Sequence, residues 1–411
     1  MTTRQTCLAL DAADPLAFAR ERFSLPEGVI YLDGNSLGAL PKSAVERVRG
    51  AVEREWGEDL IASWNRHDWI GMPQRVGGRV ARLVGAEAGE VVAADSVSVN
   101  LFKLAAAAVR AQPPERRAVV IERGDFPTDL YILQGLAALA PDIELRAVEP
   151  GGMAEALDET TAMVLLSHVH YRSGAVRDMA ATNALIREAG ALSLWDLSHS
   201  CGVLDVALNR DGADLAAGCG YKYLNGGPGA PAFVFVAERH QAALQNPLSG
   251  WMGHARPFDF IDDYAPAPSV ARWLCGTPPV LSMTALDAAL DAFEGVEMAA
   301  VRAKAGALGD LFIDRVEARC GRHGLTLASP RNAAERGGQV SFACENGWAV
   351  MQNLIARGVV GDFRRPDVIR FGFAPLYVRY ADVWDAVEIL ADILDSESWR
   401  DERYQTAAAV T

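Results

Sequence analysis

The stretch DGADLAAGCGYKYLNGGPG, residues 211–229, decides how the rest of the chain is interpreted. Its one lysine, Lys222, stands between Tyr221 and Tyr223. Small residues precede the lysine, and the glycine-rich turn GGPG follows it at 226–229. A lysine crowded in this way is placed so that its amine can reach a bound carbonyl and form a Schiff base. Taken alone, the same pattern is also typical of a lysine that ends a strand beside a turn.

A carboxylate stands upstream, at the end of a predicted strand. The apolar run ALSLW at 191–195 predicts a buried strand that ends at Asp196. The carboxyl ends of parallel strands face the crevice where such sheets bind ligands. There Asp196 can pair with a protonated pyridine nitrogen, so its combination with Lys222 favours pyridoxal phosphate as the cofactor. His199 follows in DLSHS and either orients Asp196 or contacts the cofactor, although a lone histidine is more often structural.

A phosphate site is predicted at the start of a helix. The segment DSVSVN at 95–100 opens the helical stretch LFKLAAAAVRA at 101–111. Ser98 therefore offers a hydroxyl and free backbone N–H groups to a phosphate. An ordinary helix-capping serine gives the same pattern. The phosphate turn, the aspartate and the lysine together indicate the cofactor more strongly than any one of them.

Seven motifs together resemble the kynureninase family of fold-type I pyridoxal-phosphate hydrolases. They are DGNSLGALP (33–41), SWN (63–65), FPTD (126–129), DLSHS (196–200), GYKYLNGGPG (220–229), GW-x-GH (250–254) and RFGFAPLY (370–377). The resemblance runs from about residue 30 to about residue 380. The aspartate and lysine alone mark only the superfamily, whereas the set of seven is specific to the family.

Apolar strands alternate with helices between residues 90 and 240. The predicted strands are 118–122, 144–148, 163–168, 192–196 and 232–236. Such alternation indicates βαβ units and a mostly parallel sheet covered on both faces. The resemblance implies an α/β fold of the aspartate-aminotransferase-like type I, with a large, mostly parallel seven-stranded sheet and a small α+β C-terminal domain.

The predicted organisation has three parts: an N-terminal arm (1–45), a large cofactor-binding α/β domain (46–281) and a small α+β domain (282–411). Hydrophobic spacing predicts helices over 42–62, 299–321, 348–357 and 381–394. A strand is predicted at 339–343 and a strand pair within 359–373. The last residues, AAAVT, are expected to form a loose tail.

Composition restricts the classes of function. The 411 residues carry a net charge of −14 from 39 basic and 53 acidic side chains, which argues against nucleic-acid binding. No apolar run approaches the roughly 18 residues of a membrane span, and the start MTTRQTCLALDAADP does not resemble a secretory signal. Six scattered cysteines without ligand spacing predict reduced thiols, no metal site and a cytoplasmic protein.

The resemblance assigns the residues that hold the cofactor and carry the chemistry. Lys222, Tyr221 and Asp196 are the implied catalytic residues. The implied cofactor-binding residues are Val97, Ser98, Phe126, Asp129, Ser167, Asp196, His199, Tyr221, Lys222, Trp251 and Thr277. Phe126 follows a strand, where its ring can stack on the flat cofactor.

The resemblance also implies a homodimer with shared active sites, in which Trp251 and Thr277 reach the partner subunit. The implied substrate-binding residues are Asn35, Ser36, Trp64, Gly276, Thr277 and Arg370. A lone arginine on a strand is normally solvated. The matched motif instead implies that Arg370 clamps the substrate α-carboxylate through paired hydrogen bonds.

The implied reaction is hydrolysis of L-kynurenine to anthranilate and L-alanine in tryptophan degradation, with weaker action on 3-hydroxykynurenine. Lys222 is the expected acid and base at the substrate α-carbon. Tyr221 is the expected proton carrier for cleavage of the Cβ–Cγ bond, and Asp196 keeps the pyridine nitrogen protonated.

Two alternatives stay open at this point. A cysteine desulfurase of the same fold type needs a persulfide-forming cysteine on a mobile loop, and Cys320 or Cys344 lie in the right third of the chain. Against this alternative, Phe126 and Tyr221 stand at positions where the resemblance would place a histidine in a cysteine desulfurase. The other alternative is an inactive, cofactor-free scaffold, which the joint presence of Lys222, Asp196 and Ser98 disfavours.

Overall fold

Within residues 2–406, the computed structural model of the protein contains fifteen strands and twelve α-helices. The strands are β1 (Phe23–Ser24), β2 (Ile30–Tyr31), β3 (Leu40–Pro41), β4 (Val91–Ala93), β5 (Ala118–Glu122), β6 (Glu144–Val148), β7 (Thr161–Ser167), β8 (Leu192–Asp196), β9 (Leu215–Gly218), β10 (Phe233–Val236), β11 (Thr326–Leu327), β12 (Gln339–Ala343), β13 (Val359–Val360), β14 (Asp362–Arg364) and β15 (Val368–Gly372). The helices are α1 (Arg4–Ala12), α2 (Lys42–Gly50), α3 (Ser63–Arg66), α4 (Met72–Leu83), α5 (Val97–Ala111), α6 (Pro127–Leu139), α7 (Met179–Glu188), α8 (Glu238–Gln241), α9 (Val280–Ala289), α10 (Met298–Cys320), α11 (Gly347–Ala356) and α12 (Tyr380–Asp395). The predicted tail at 407–411 lies outside the described residues.

The large sheet has seven strands in the order β4-β10-β9-β8-β7-β5-β6. Within the described residues, β10 is the only strand of this sheet that runs antiparallel to the other strands. The prediction of a mostly parallel sheet is therefore confirmed. Its central strands are buried on both faces, as their continuous apolar sequences require.

The register of the large sheet places the candidate site at its carboxyl edge. Ser167, the last residue of β7, is paired with Asp196, the last residue of β8. Asp196 in turn pairs with Ala217 of β9, and the loop after β9 carries Lys222. Three neighbouring strand ends therefore deliver a hydroxyl, a carboxylate and an amine to one place.

A second sheet, of four antiparallel strands in the order β11-β12-β15-β14, belongs to the predicted small domain. Phe312 of α10 packs against Phe371 of β15, with ring centroids 4.7 Å apart, and against Phe373 just beyond that strand, at 5.4 Å. In the pairing of β14 with β15, Asp362 lies directly opposite Arg370. This register brings a charged pair into the interior of the molecule.

The N-terminal residues attach to the C-terminal part of the chain. The Asp11 side chain accepts hydrogen bonds from the backbone N–H groups of Tyr380 and Ala381, at the start of α12. Strand β2 runs parallel to β13, with Ile30 opposite Val359. These contacts carry the following loop, residues 33–38, toward Lys222. The three domain boundaries stay a prediction.

The prediction of one continuous helix over 42–62 is wrong. Helix α2 ends at Gly50, a π-helical turn covers Ala51–Trp56, and a 3₁₀ turn covers Leu60–Ala62. In the π turn the N–H of Gly57 donates to the carbonyl of Val52 at 3.0 Å, which inserts an extra residue into the helical repeat. The apolar positions consequently lose their common face, and the Trp56 side chain is exposed.

Candidate active site

Lys222 contacts a histidine from the neighbouring strand end. Its Nζ lies 2.9 Å from Nε2 of His199, in the loop after β8. Burial lowers the pKa of His199 well below its ordinary value, and the charge of Lys222 lowers it further. A neutral imidazole can accept a hydrogen bond from the amine. Burial also lowers the pKa of Lys222, so this amine loses its proton more readily than a surface lysine does.

A cavity of about 140 Å³ contains this pair. Nine of the residues predicted to hold the cofactor line it: Val97, Ser98, Phe126, Asp129, Ser167, Asp196, His199, Tyr221 and Lys222. Its other lining residues are Ser96, Thr128, Val169, Tyr171, Ser198, Cys219, Ala230 and Ala232. Residues predicted from separate motifs therefore meet around one amine.

The start of α5 forms one end of the cavity. The helix-capping residue is Ser96, whose Oγ accepts a long hydrogen bond of 3.4 Å from the N–H of Val99. Ser98 lies inside the first helical turn and does not cap the helix. The first N–H groups of a helix have no acceptor within the helix, and the helix dipole adds a partial positive charge there. This end of the cavity suits an anion such as a phosphate.

Two carboxyl groups form the floor of the cavity. Asp196 accepts hydrogen bonds from the backbone N–H of Ser198 at 2.8 Å and from its hydroxyl at 2.5 Å. Asp129 lies in the first turn of α6 and is 1% exposed. Burial raises the pKa of Asp129 well above its ordinary value, and the negative charge of Asp196 raises it further. Asp129 therefore keeps its proton to a higher pH than an ordinary aspartate does.

Polar atoms at the floor are left without protein partners. Among the described residues, neither Oδ1 of Asp129 nor Nδ1 of His199 has a hydrogen-bond partner. A buried polar atom without a partner is costly, and such atoms are rare in folded proteins. The chemistry of these atoms fits a polar, flat, ring-containing group above the floor.

Phe126 supplies an aromatic wall. Its ring centroid lies 5.9 Å from Nζ of Lys222, and the residue is 41% exposed, which is unusual for a large apolar side chain. Tyr171 packs edge-on against it, with ring centroids 5.4 Å apart, and fixes the orientation of the ring. The open face of Phe126 is free to stack on a planar ligand.

Tyr221 also lies close to the amine. Its ring centroid is also 5.9 Å from Nζ of Lys222. Burial raises the pKa of the Tyr221 phenol above its ordinary value, and the nearby Cys219 and Asp196 raise it further. Tyr221 therefore remains protonated at neutral pH and can donate a proton.

Arg370 is buried, with 1% of its side chain exposed, so the general expectation of a solvated strand arginine is wrong here. Its Nε donates to Oδ1 of Asp362 at 2.8 Å, and its Nη2 donates to the other carboxylate oxygen of Asp362. Nη2 also reaches Oγ of Ser36 at 3.0 Å, and Nη1 donates to the carbonyl of Tyr171. The Arg370 guanidinium, which was predicted to bind the substrate carboxylate, is therefore already paired with a carboxylate of the protein.

The loop that contains Asn35 and Ser36 lies against the lysine loop. At Gly38, an added Cβ would overlap the carbonyl oxygen of Lys222 and the side chain of Asn225, so only glycine permits this approach. Asn35 is fully buried beside Gly372, and its side-chain amide has no partner among the residues that the structure describes.

Besides Asn35, Ser36 and Arg370, four further predicted residues do not line the Lys222 cavity. Trp64 and Trp251 line a separate, largely apolar cavity of about 720 Å³, together with Ile61, Asn65, Ile70, Phe258 and Phe260. Gly276 and Thr277 are exposed. The single chain therefore does not bring these four residues to the amine.

Sequence reasoning missed several residues at or near the site. Tyr171 and Cys219 line the cavity, and Asp362 and Arg364 surround Arg370. A signal existed for the last two, since charged residues at 362, 364 and 370 interrupt a predicted strand pair. Tyr171 had none, because it lies in an irregular loop.

Comparisons with known proteins agree with this geometry. Residues 301–390 match the family model described as the kynureninase C-terminal domain. The chain is 53% identical to a kynureninase of Burkholderia pseudomallei strain 1106a over 416 aligned positions, covering 100% of both chains. It is 51% identical to a kynureninase of Pseudomonas fluorescens, again over 100% of both. Among solved structures, a cysteine desulfurase from Thermococcus onnurineus NA1 matches with a TM-score of 0.77 at 19% identity, covering 92% of this chain and 98% of that one. The predicted type I fold class is confirmed.

Proposed function

The chain belongs to the kynureninase family, and from this membership and the site we propose that it hydrolyses L-kynurenine to anthranilate and L-alanine with pyridoxal phosphate. One observation carries the proposal: the Lys222 amine lies 2.9 Å from a neutral histidine in a cavity floored by two carboxyl groups. The reaction belongs to tryptophan degradation in this proposal, with weaker action on 3-hydroxykynurenine.

The residues present fit the cofactor. Lys222 would hold its carbonyl carbon, Asp196 its ring nitrogen, and the start of α5 with Val97 and Ser98 its phosphate. Phe126 would stack on the ring, and Asp129, Ser167 and His199 would contact its edge. When bound, pyridoxal phosphate supplies an electron sink for negative charge that develops on the substrate.

Proton transfer falls to Lys222 and Tyr221. The lowered pKa of Lys222, caused mainly by burial, lets the neutral amine take a proton from the substrate α-carbon. His199 holds this amine through Nε2. Water adds its oxygen to the aryl ketone carbon, which becomes the carboxyl carbon of anthranilate when the Cβ–Cγ bond breaks. The protonated Tyr221 donates the proton that converts Cβ into the methyl group of L-alanine, and the proton released by the attacking water restores the phenol. Lys222 returns a proton to the α-carbon, so that L-alanine again carries its α-hydrogen.

The substrate would extend from Arg370 to an aromatic pocket. We place its α-carboxylate near Arg370, Asn35 and Ser36, and its aryl ring near Trp64, with Gly276 and Thr277 of the partner subunit. The homodimer with shared sites is supported by the exposure of Gly276 and Thr277 and by the open, apolar cavity beside Trp64 and Trp251. In this arrangement Trp251 and Thr277 reach the partner's phosphate.

A cytoplasmic location is part of the proposal. It is supported by six cysteines that are all free within residues 2–406, as expected in a reducing compartment. In the same range, none of the helices combines the length and the apolar character needed to traverse a bilayer.

The desulfurase alternative gains no support from the two cysteines that it requires. Cys320 is fully buried at the end of α10, and Cys344, just after β12, is 7% exposed. Burial raises the pKa of Cys320 to about 12 and also raises that of Cys344, which suppresses the reactive thiolate. Neither residue has the accessible, acidic thiol that persulfide chemistry needs.

The decisive experiment is anthranilate fluorescence after L-kynurenine is added to the cofactor-loaded protein. We expect anthranilate and L-alanine in equal amounts, and no product from the Lys222→Ala variant. Release of sulfur from L-cysteine without anthranilate formation would overturn the proposal in favour of a desulfurase. A purified protein that takes up no pyridoxal phosphate, judged by its visible spectrum, would point to an inactive scaffold.

A further inference from the structure

Three charged side chains share one face of the small sheet behind the active site. Asp362 and Arg364 stand two residues apart on β14, so both project to the same side of the strand. Arg370 lies directly opposite Asp362 on β15. We call these residues, with Ser36, the arginine–carboxylate network. Oγ of Ser36 donates to Asp362 at 2.6 Å and lies 3.0 Å from Nη2 of Arg370 and 3.3 Å from Nη2 of Arg364.

The two arginines of the network differ in how many of their N–H groups already donate to the protein. Four hydrogen bonds leave the guanidinium of Arg370, to Asp362 twice, to Ser36 and to Tyr171. At most one N–H, on Nη1, remains for a ligand. A substrate carboxylate therefore cannot form the usual paired contact with Arg370 unless Asp362 gives way, and buried ion pairs are costly to break.

Arg364 has more hydrogen-bond donors left for a ligand than Arg370 has. Its side chain is 37% exposed, against 1% for Arg370. Nη2 donates to Asp362 at 2.8 Å, which anchors the guanidinium at one corner. Nε is enclosed, yet it finds no acceptor anywhere in the described part of the chain. A buried donor without a partner is expected to bind an acceptor that arrives with a ligand.

The charge of the network is positive and lies close to the reacting amine. Two guanidinium groups face the single ionised carboxylate of Asp362. The adjacent Asp33 is largely neutral at pH 7, because burial and then the charge of Asp362 raise its pKa to about 8. Burial is the main cause that lowers the pKa of Lys222, and the positive charges of Arg370 and Arg364 lower it further. An anionic group bound here would remove this excess charge.

We propose that Arg364 is a second, outer cation for the substrate α-carboxylate, which lies between the free donors of Arg364 and the remaining N–H of Arg370. In this arrangement Asp362 is a positioning residue, because it holds both guanidinium groups at a fixed spacing. The inference rests on the proposed function, since it takes an amino-acid substrate as the ligand. It adds to that proposal a residue which the sequence motifs do not mark.

The test compares Arg364→Gln with Arg357→Gln. Arg357 is a matched control, because its side chain is 38% exposed and pairs with one aspartate, Asp392, at 2.6 Å on the surface of the small domain. Loss of one charge-assisted hydrogen bond corresponds to about 10- to 100-fold in an equilibrium constant. We expect Arg364→Gln to raise KM for L-kynurenine on that scale while kcat changes less than about threefold, and Arg357→Gln to change neither. Arg364→Lys should recover part of the loss.

A binding experiment separates this inference from the proposed function. L-alanine and L-alaninamide are titrated into each cofactor-loaded protein, and the visible absorption of the cofactor reports binding. We expect Arg364→Gln to bind L-alanine more weakly than the wild type does and to bind L-alaninamide with unchanged affinity, because only L-alanine carries a carboxylate. Equal affinities of wild type and Arg364→Gln for L-alanine would overturn the role of Arg364, even if L-kynurenine is hydrolysed. If L-kynurenine is not hydrolysed, selective loss of L-alanine binding would still support Arg364 and only the proposed reaction would fail.

Melting curves and cofactor content are measured for each variant. If Arg364→Gln does not fold, Arg364→Lys carries the same test, since a compact ammonium cannot reproduce the placement of the Nε donor. Arg364→Lys with native affinity for L-alanine and with native KM would then contradict the proposal.

Discussion

The Lys222 cavity and the arginine–carboxylate network lie on either side of Tyr171 and treat buried polar groups in opposite ways. In the cavity, burial favours the neutral forms of Asp129 and His199, and each keeps an atom that has no partner within residues 2–406. In the network, Asp362 stays ionised, because it is held by two arginines and a serine hydroxyl.

This difference indicates which region depends on a ligand. A cavity whose polar atoms lack partners is costly until something binds to them. A network whose carboxylate is held by two arginines is stable without a ligand and presents a fixed positive field, although Nε of Arg364 has no acceptor among the described residues. We therefore expect the cavity to be sensitive to changes in chemistry and the network to be sensitive to changes in charge and geometry.

The largest effect is expected for Lys222→Ala, which removes the amine at the centre of the cavity. Turnover should fall by at least about 10³-fold, because both the attachment of the cofactor and the proton transfer at the α-carbon depend on this amine. The absorption of lysine-bound cofactor should vanish, while circular dichroism stays native. Stopped assays measure the turnover, and the visible spectrum measures the lysine-bound cofactor.

Lys103 provides a control for the same claim. It is also buried, but its Nζ is held by Asp95 at 2.7 Å and by the carbonyl of Trp273 at 2.8 Å. Borohydride reduction followed by peptide mapping should label Lys222 and leave Lys103 unlabelled. A label on any other lysine would show that the cavity is not the cofactor site.

The second prediction tests the network through Arg370→Ala. Arg370→Ala leaves Asp362 buried without its main partner, so Asp362 no longer holds Arg364 in place, and it removes the N–H of Arg370 that remains for the substrate. A loss of about 2–5 kcal/mol of interaction with the substrate carboxylate corresponds to roughly 30- to 3,000-fold. We expect kcat/KM to fall on that scale with cofactor content unchanged, and Arg370→Lys to recover little, since an ammonium cannot span both oxygens of Asp362. Near-native kinetics of Arg370→Ala would remove Arg370 from the substrate site.

Most of the cavity was predictable from the sequence, whereas Ser36 and Arg370 were the only residues of the network that the sequence indicated. Asp196 and Lys222 each belong to a short motif at a strand end, and the alternation of apolar runs with helices predicts the mostly parallel sheet. The ion pair of Asp362 with Arg370 depends on a cross-strand register that no local pattern encodes. The break in the helix predicted over 42–62 was equally hidden, because one inserted residue changes the face without changing the composition.

The third prediction concerns the aryl ring. Trp64 packs edge-on against Trp69, with centroids 5.9 Å apart, and beside it lies a largely apolar cavity. A ring hydroxyl buried there without a partner costs about 1–3 kcal/mol, so L-kynurenine should be preferred to 3-hydroxykynurenine by roughly 5- to 150-fold in kcat/KM. Trp64→His with Gly276→Ser and Thr277→Asn should narrow or reverse this ratio, since the new side chains can hydrogen-bond to the hydroxyl.

Steady-state kinetics on both substrates decide this prediction. Trp56→His is the control, because Trp56 is a surface tryptophan of the same region and should leave the ratio unchanged. The prediction would be contradicted by a wild type that already favours 3-hydroxykynurenine. A triple variant with the wild-type ratio of kcat/KM values and a lower stability would show that Trp64 only packs against its neighbours.

The smallest effect is expected from Asp33, a buried carboxyl group beside the network whose Oδ1 has no hydrogen-bond partner among the described residues. Burial, followed by the charge of Asp362, raises its pKa to about 8 from an ordinary value of 3.8. The folded protein therefore binds a proton that the unfolded chain has lost above about pH 4. This contribution to the free energy of unfolding is complete below pH 4 and is lost as the pH rises through 8. Between pH 7 and pH 9 the loss amounts to about 1 kcal/mol.

Asp33→Asn keeps the shape of the side chain and removes the titration, so the variant should lose less stability than the wild type over this interval. The difference in melting temperature between pH 7 and pH 9 should be larger for the wild type by about 1–2 °C, as measured by scanning calorimetry. Asp262→Asn serves as the control, because Asp262 is an exposed carboxylate. Parallel curves for wild type and Asp33→Asn would mean that Asp33 is already ionised at pH 7. The network would then carry no excess positive charge, and its field would not favour a substrate carboxylate over an amide.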